Sequence, residues 1–262
     1  MIHTFGDPAS SKWILIQPVD EHDLELMQGE TAQIRARCPN QSFSVLAIET
    51  DWFKDLAPWK AKSAFKGQPD FGDGAGAFLQ SILNTIGSPS PDRRYILGGY
   101  SLAGLFALWA GYQTDAFDGI AAASPSVWYP GWIEYAEKTQ CSVPLVYLSL
   151  GDKEERTRNP VMKTVGDNIR KQQELLMEQG VNTTLEWNPG NHFVDSDKRT
   201  AAGFAWIMEN TAPIFDSAEF RINRKQRTQT MKPDRRQWKG EEQDDLGQIH
   251  GGLSAAGGRR IR

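Results

Sequence analysis

The first strong hydrophobic run, Trp13-Ile14-Leu15-Ile16-Gln17, is apolar at successive positions and closes at Pro18. A run without alternation predicts a strand covered on both faces, as in a parallel sheet. Asp20 then caps a helix carrying Leu24, Met27, Ala32, Ile34 and Ala36, with Gly29 its weak spot. Phe43 to Ile48 reads as a second strand, followed by a long loop from Glu49 to Asp73 rich in Trp, Pro and Gly. Loops of that length are functional or disordered, and the aromatic content argues against disorder. Ala75, Phe78, Leu79, Ile82, Leu83 and Ile86 recur at helical spacing, and Gly87 stops them.

The alternation continues to the end of the patterned region. Strands are expected at Tyr95–Gly99, Ile120–Ala123, Leu145–Leu150 and Thr184–Trp187. Helices are expected at Leu102–Tyr112, Val161–Gln179 and Ala201–Met208. Strands alternating with helices imply an α/β fold, a doubly wound and mostly parallel sheet with helices on both faces. Ligands of such sheets bind at the carboxyl ends of the strands. Apolar periodicity stops after Ile222, and the Gly- and Arg-rich remainder reads as a disordered tail.

Charge sharpens that boundary. The whole chain of 262 residues has a formal net charge of −4, too mild to suggest a nucleic-acid or membrane partner. Residues 221–262 carry 11 Lys and Arg against 5 Asp and Glu, so the remainder is acidic. The expected organisation is a domain over 1–220 and a basic tail over 221–262. Cys38 and Cys141 have no metal-ligand spacing and read as buried free thiols of a reducing compartment. No secretory signal and no membrane-length apolar stretch is visible, so a cytoplasmic protein is expected.

One segment carries chemistry. Gly98-Gly99-Tyr100-Ser101-Leu102-Ala103-Gly104 lies between an apolar strand and a helix, the context of a nucleophile elbow. The turn is so tight that residues two before and two after the serine must be small, which Gly99 and Ala103 satisfy. Ser101 then opens a helix whose N–H groups and dipole favour developing negative charge.

Such an elbow carries its partners in the order Ser, acid, His. Of four histidines, only His192 lies late in the chain, in a loop between the last strand and the last helix. Position and elimination make it the general base. The acid should follow the strand ending at Leu150, where Gly151-Asp152-Lys153-Glu154-Glu155 offers three carboxylates. A Gly-x-x-acid turn favours Glu154, with Asp152 second and Glu155 third. For the oxyanion hole the N–H of Leu102 needs a second donor after the first strand. Pro18 has none, so Val19 or Asp20 must supply it, Val19 being favoured.

These residues resemble the putative-esterase branch of the α/β-hydrolase superfamily, which includes esterase-D-like, feruloyl and siderophore-ester hydrolases. The match spans about residues 12–210. It is carried by Gly99 to Gly104, by Ser124-Pro125-Ser126-Val127-Trp128, and by Trp52-Phe53-Lys54-Asp55-Leu56-Ala57-Pro58-Trp59. The resemblance implies hydrolysis of a small-molecule carboxylic ester through an acyl-enzyme, without metal or cofactor. The chain begins almost at the strand that is usually third, so the family's first hairpin is expected to be missing. Some siderophore-esterase relatives work with a Ser–His dyad, which leaves the need for an acid open. Trp52, Trp59, Trp128 and Trp132, all expected on loops at the active edge, are candidate walls of an apolar pocket. Thioester cleavage and acyl transfer would use the same machinery, and a non-catalytic binding module on this fold is the remaining alternative.

Overall fold

The computed structural model describes residues 1–87, 90 and 92–211. The expected boundary near residue 220 and the expected basic tail lie outside the described residues.

Among the described residues seven strands form one sheet: β1 (Ile2–Phe5), β2 (Trp13–Val19), β3 (Phe43–Glu49), β4 (Arg94–Tyr100), β5 (Gly119–Ala123), β6 (Leu145–Gly151) and β7 (Asn182–Asn188). Their order is β1-β3-β2-β4-β5-β6-β7. All neighbours run parallel except β1, which pairs antiparallel with β3, Ile2 facing Ile48. β1 adds one antiparallel strand before β2, but it pairs with β3 alone and forms no hairpin with β2, as the expectation of a missing first hairpin requires. At four residues, partly exposed along its length, it has no hydrophobic run to announce it.

Among the described residues seven α-helices accompany the sheet, six between strands and the last after β7: α1 (Glu21–Arg37), α2 (Trp52–Asp55), α3 (Ala75–Ile86), α4 (Ser101–Gln113), α5 (Trp132–Lys138), α6 (Val165–Glu178) and α7 (Ser196–Asn210). Two hydrophobic clusters show the layering. Trp13, Leu15 and Val19 point to the face covered by α1 and α7, with Met27, Ile34 and Phe204. Ile14 and Ile16 point to the other face, covered by α3, α4, α5 and α6. Every residue of β2, β4, β5 and β6 is buried, as the uninterrupted apolar runs require. Helix α4 is buried from Leu102 to Tyr112 and apolar all round, the mark of a central helix.

Local chemistry sets the ends. The Asp20 carboxylate accepts from the N–H of Asp23 and starts α1. Gly87, at φ 65°, ends α3. The long loop is ordered by α2 and by an isolated antiparallel bridge between Ala61 and Phe71. Trp132 is a correction: it lies in α5, fully buried, its indole N–H donating to Gln172 Oε1 at 2.9 Å. Cys38 and Cys141 are both buried and free. Among the described residues no helix is long and apolar enough to cross a membrane.

Candidate active site

The elbow is built as its small residues demand. Ser101 sits at φ 57°, one of three non-glycine residues with positive φ among those described. That conformation costs about 1–3 kcal/mol and persists only where the surroundings enforce it. A Cβ on Gly99 would lie 2.6 Å from the Ala103 Cβ, and one on Gly104 3.1 Å from the carbonyls of Gly99 and Ala123. Strand β4 and helix α4 therefore touch through glycine, and Ser101 is thrust out at the strand's carboxyl end.

The loop after β7 brings His192 to it. Gly190, at φ 104°, reverses the chain. His192 Nε2 lies 3.0 Å from Ser101 Oγ, and Nδ1 lies 2.7 Å from Glu154 Oε2. Glu154 opens a 3-10 turn, Glu154–Arg156, just past β6. Its other oxygen, Oε1, accepts from Ser124 Oγ at 2.8 Å, Gly151 N at 2.7 Å and Arg199 Nη1 at 3.2 Å. Burial alone would raise this carboxyl, but the hydrogen bond and charge of His192, with the Gly151 and Ser124 donors, hold it below its ordinary range. Glu154 is thus an ionised acceptor facing the imidazole.

The other two carboxylates go elsewhere. Asp152 is exposed and accepts from the N–H of Gly190 at 2.8 Å, bracing the histidine loop without meeting the ring. Glu155 pairs with Arg170 at 3.4 Å.

The donors for an oxyanion are divided differently from expectation. The N–H of Leu102 makes no hydrogen bond among the described residues, and neither does that of Asp20. Val19 is turned away: its carbonyl accepts from Thr50 N at 3.1 Å, on the β3 side. In an extended strand a residue's N–H and C=O leave on the same side. The Val19 N–H therefore points to β3, and that of the next residue, Asp20, to the β4 side where Ser101 lies. This corrects the choice of Val19.

A cleft of about 540 Å³ opens over Ser101 and Leu102. Trp52 and Trp128 line it, with Phe53, Phe65, Phe71 and Phe193; Lys66, Gln68, Ser126 and Asn159 add polar points. Trp59 does not reach it. Its indole N–H donates to the Pro130 carbonyl at 2.8 Å and its ring packs on Tyr129 and Tyr135, beside a separate hollow. Sequence reasoning missed Phe53, Phe65 and Phe71, whose spacing in the long loop has no period, and Phe193 beside His192. It also missed Ser126, whose Oγ lies 3.4 Å from Ser101 Oγ, and Arg199, 3% exposed beneath Glu154. Among the described residues no His, Cys, Asp and Glu cluster is arranged to hold a metal ion.

No protein-family model and no curated protein matches the sequence. Solved structures do match. The siderophore hydrolase EstA from Aspergillus nidulans is similar with a TM-score of 0.57 and 23% identity, over 79% of this chain and 86% of that one. An IroE-like serine hydrolase from Shewanella oneidensis reaches 0.64 at 15% identity, over 85% and 80% of the two chains. A ferulic acid esterase gives 0.51 at 12%, over 82% and 92%. At such identities the likeness carries the fold, and the chain has the α/β-hydrolase fold.

Proposed function

We propose that this protein is a serine esterase that cleaves carboxylic esters through an acyl-enzyme on Ser101. One observation carries the reading: an unbroken relay from Ser101 Oγ through His192 to a buried, ionised Glu154, on a serine held at φ 57°. The solved structures of like fold, named as a siderophore hydrolase and a ferulic acid esterase, support the same class.

The relay runs as follows in this reading. Ser101 Oγ attacks the ester carbonyl carbon while His192 Nε2 takes its proton. The oxyanion is met by the N–H groups of Leu102 and Asp20. As the C–O bond to the alcohol breaks, His192 returns the proton to the leaving oxygen. Water then attacks the acyl-enzyme, His192 takes the water's proton, and collapse restores Ser101 with that proton. Glu154 holds Nδ1–H and stabilises the imidazolium in both halves. The aromatic walls suit an ester with a bulky, ring-containing or apolar part beside Ser101.

Ser101→Ala separates this reading from a binding module. A fluorophosphonate probe should label the wild-type protein and not the alanine variant, and the variant should lose several powers of ten in aryl-ester hydrolysis while staying folded. Equal labelling of both proteins would remove Ser101 from the chemistry. A matched pair of oxygen ester and thioester substrates then distinguishes esterase from thioesterase.

A further inference from the structure

Arg199, in the first turns of α7, spends its guanidinium on the catalytic edge. Nη1 donates towards Glu154 Oε1 at 3.2 Å, Tyr100 Oη at 3.1 Å and Ser124 Oγ at 3.3 Å. Nη2 donates to the carbonyls of Pro189 at 3.1 Å and Asn191 at 3.2 Å. Those acceptors come from the ends of four successive strands, β4 to β7. Tyr100 extends the reach, its Oη donating to the His192 carbonyl at 2.8 Å.

We propose that Arg199 is a positioning residue for the relay, holding the Glu154 carboxylate and the His192 loop in register with one planar fork. The proposal rests on the esterase reading above. A buried ion pair adds little to fold stability by itself, so stability alone does not account for a guanidinium gathering the acid's loop and the base's loop. A lysine supplies a point charge and cannot span both sets of acceptors with fixed geometry. Charge and fork are therefore separable. Without the cation, the Glu154 carboxylate keeps Ser124 Oγ, the Gly151 N–H and the imidazole, but the relay loses the positive charge beside it, which moves the acid limb of activity to higher pH.

The test compares wild type, Arg199→Met, Arg199→Lys and Tyr100→Phe on one aryl ester across pH, with fluorophosphonate labelling rates and thermal melts. Arg199→Met should lower kcat on the order of 100-fold with KM changed less than about threefold, and move the acid limb upward. Arg199→Lys should return the limb to its wild-type position while recovering no more than about a tenth of kcat. Tyr100→Phe should lower kcat and leave the limb in place. If Arg199→Met does not fold, Arg199→Lys and Tyr100→Phe decide the matter. Lysine or methionine variants with kcat within about threefold of wild type per folded molecule, and an unmoved limb, would make Arg199 purely structural. A wild-type protein that neither hydrolyses esters nor labels at Ser101 would overturn the esterase reading instead.

Discussion

Glu154 and Asp152 stand two positions apart at the end of one strand, yet their environments give them different work. Glu154 is buried with both oxygens engaged, one on His192 and the other in a cradle of three donors. Asp152 reaches only a backbone N–H. Glu154→Gln would present an amide to Nδ1 and favour the wrong imidazole tautomer, an exchange that in a serine protease costs about 10⁴-fold. A strong fall in kcat/KM is expected, against less than about tenfold for Asp152→Asn, on one ester with His192→Ala as the inactive reference. Equal, small effects would leave a Ser101–His192 dyad. Because Glu154 is held below its ordinary range, it contributes stability above that range, lost as pH falls through its lowered value. Which carboxylate faces the imidazole followed from the Gly-x-x-acid spacing. The cradle behind it, with Ser124 at φ 41° and Arg199 from a distant helix, left no local signal in the sequence.

At the scale of the element, α1 carries an inward-facing acid at Glu30, 3% exposed against β2. Gln17 Nε2 donates to Glu30 Oε2 at 3.3 Å, while Gln17 Oε1 and Glu30 Oε1 have no hydrogen-bond partner among the described residues. A protonated carboxyl leaves no uncompensated buried charge there. Burial first, then the nearby Asp23 and Asp197, pushes Glu30 up to about 8 despite the bond from Gln17. Its folded value lies above its ordinary 4.5, so the native state holds a proton that the unfolded chain releases between those limits. Stability from this group is full below about 4.5 and declines as pH rises, until Glu30 ionises above about 8. Glu30→Gln removes that dependence. Urea midpoints from pH 5 to 9 should fall less steeply for the variant, with a gain on the order of a few kcal/mol at the alkaline end. An unchanged slope would mean that Glu30 is ionised in the native protein at neutral pH.

Across the whole molecule, the cleft is assembled from segments far apart in sequence, the Trp52–Phe71 loop meeting Trp128, Asn159 and Phe193. Its walls divide by burial. Phe71 is 3% exposed and packs on Phe53, Trp128 and Tyr129, so Phe71→Ala should cost about 3–5 kcal/mol, read from urea unfolding. Phe193 is 88% exposed beside His192, so Phe193→Ala should change stability by less than about 0.5 kcal/mol and raise KM for bulky esters. A Phe193 variant with unchanged KM across ester sizes would take that ring out of the substrate's path.

By itself the sequence determined the alternation of strands and helices, the elbow at Ser101 and the late His192. Each rests on local physics: consecutive apolar residues bury a strand on both faces, and only small residues let β4 touch α4. Tertiary structure decided the rest. Strand β1 exists only because β3 offers it an edge, and Trp59 and Trp132 left the candidate pocket because neighbours claimed their indole N–H groups. Val19 yielded to Asp20 because strand pairing, invisible along the chain, sets which way an N–H points. Arg199 lies 45 residues beyond Glu154, and only the packing of α7 beneath the carboxyl ends of β4 to β7 brings its charge to the acid.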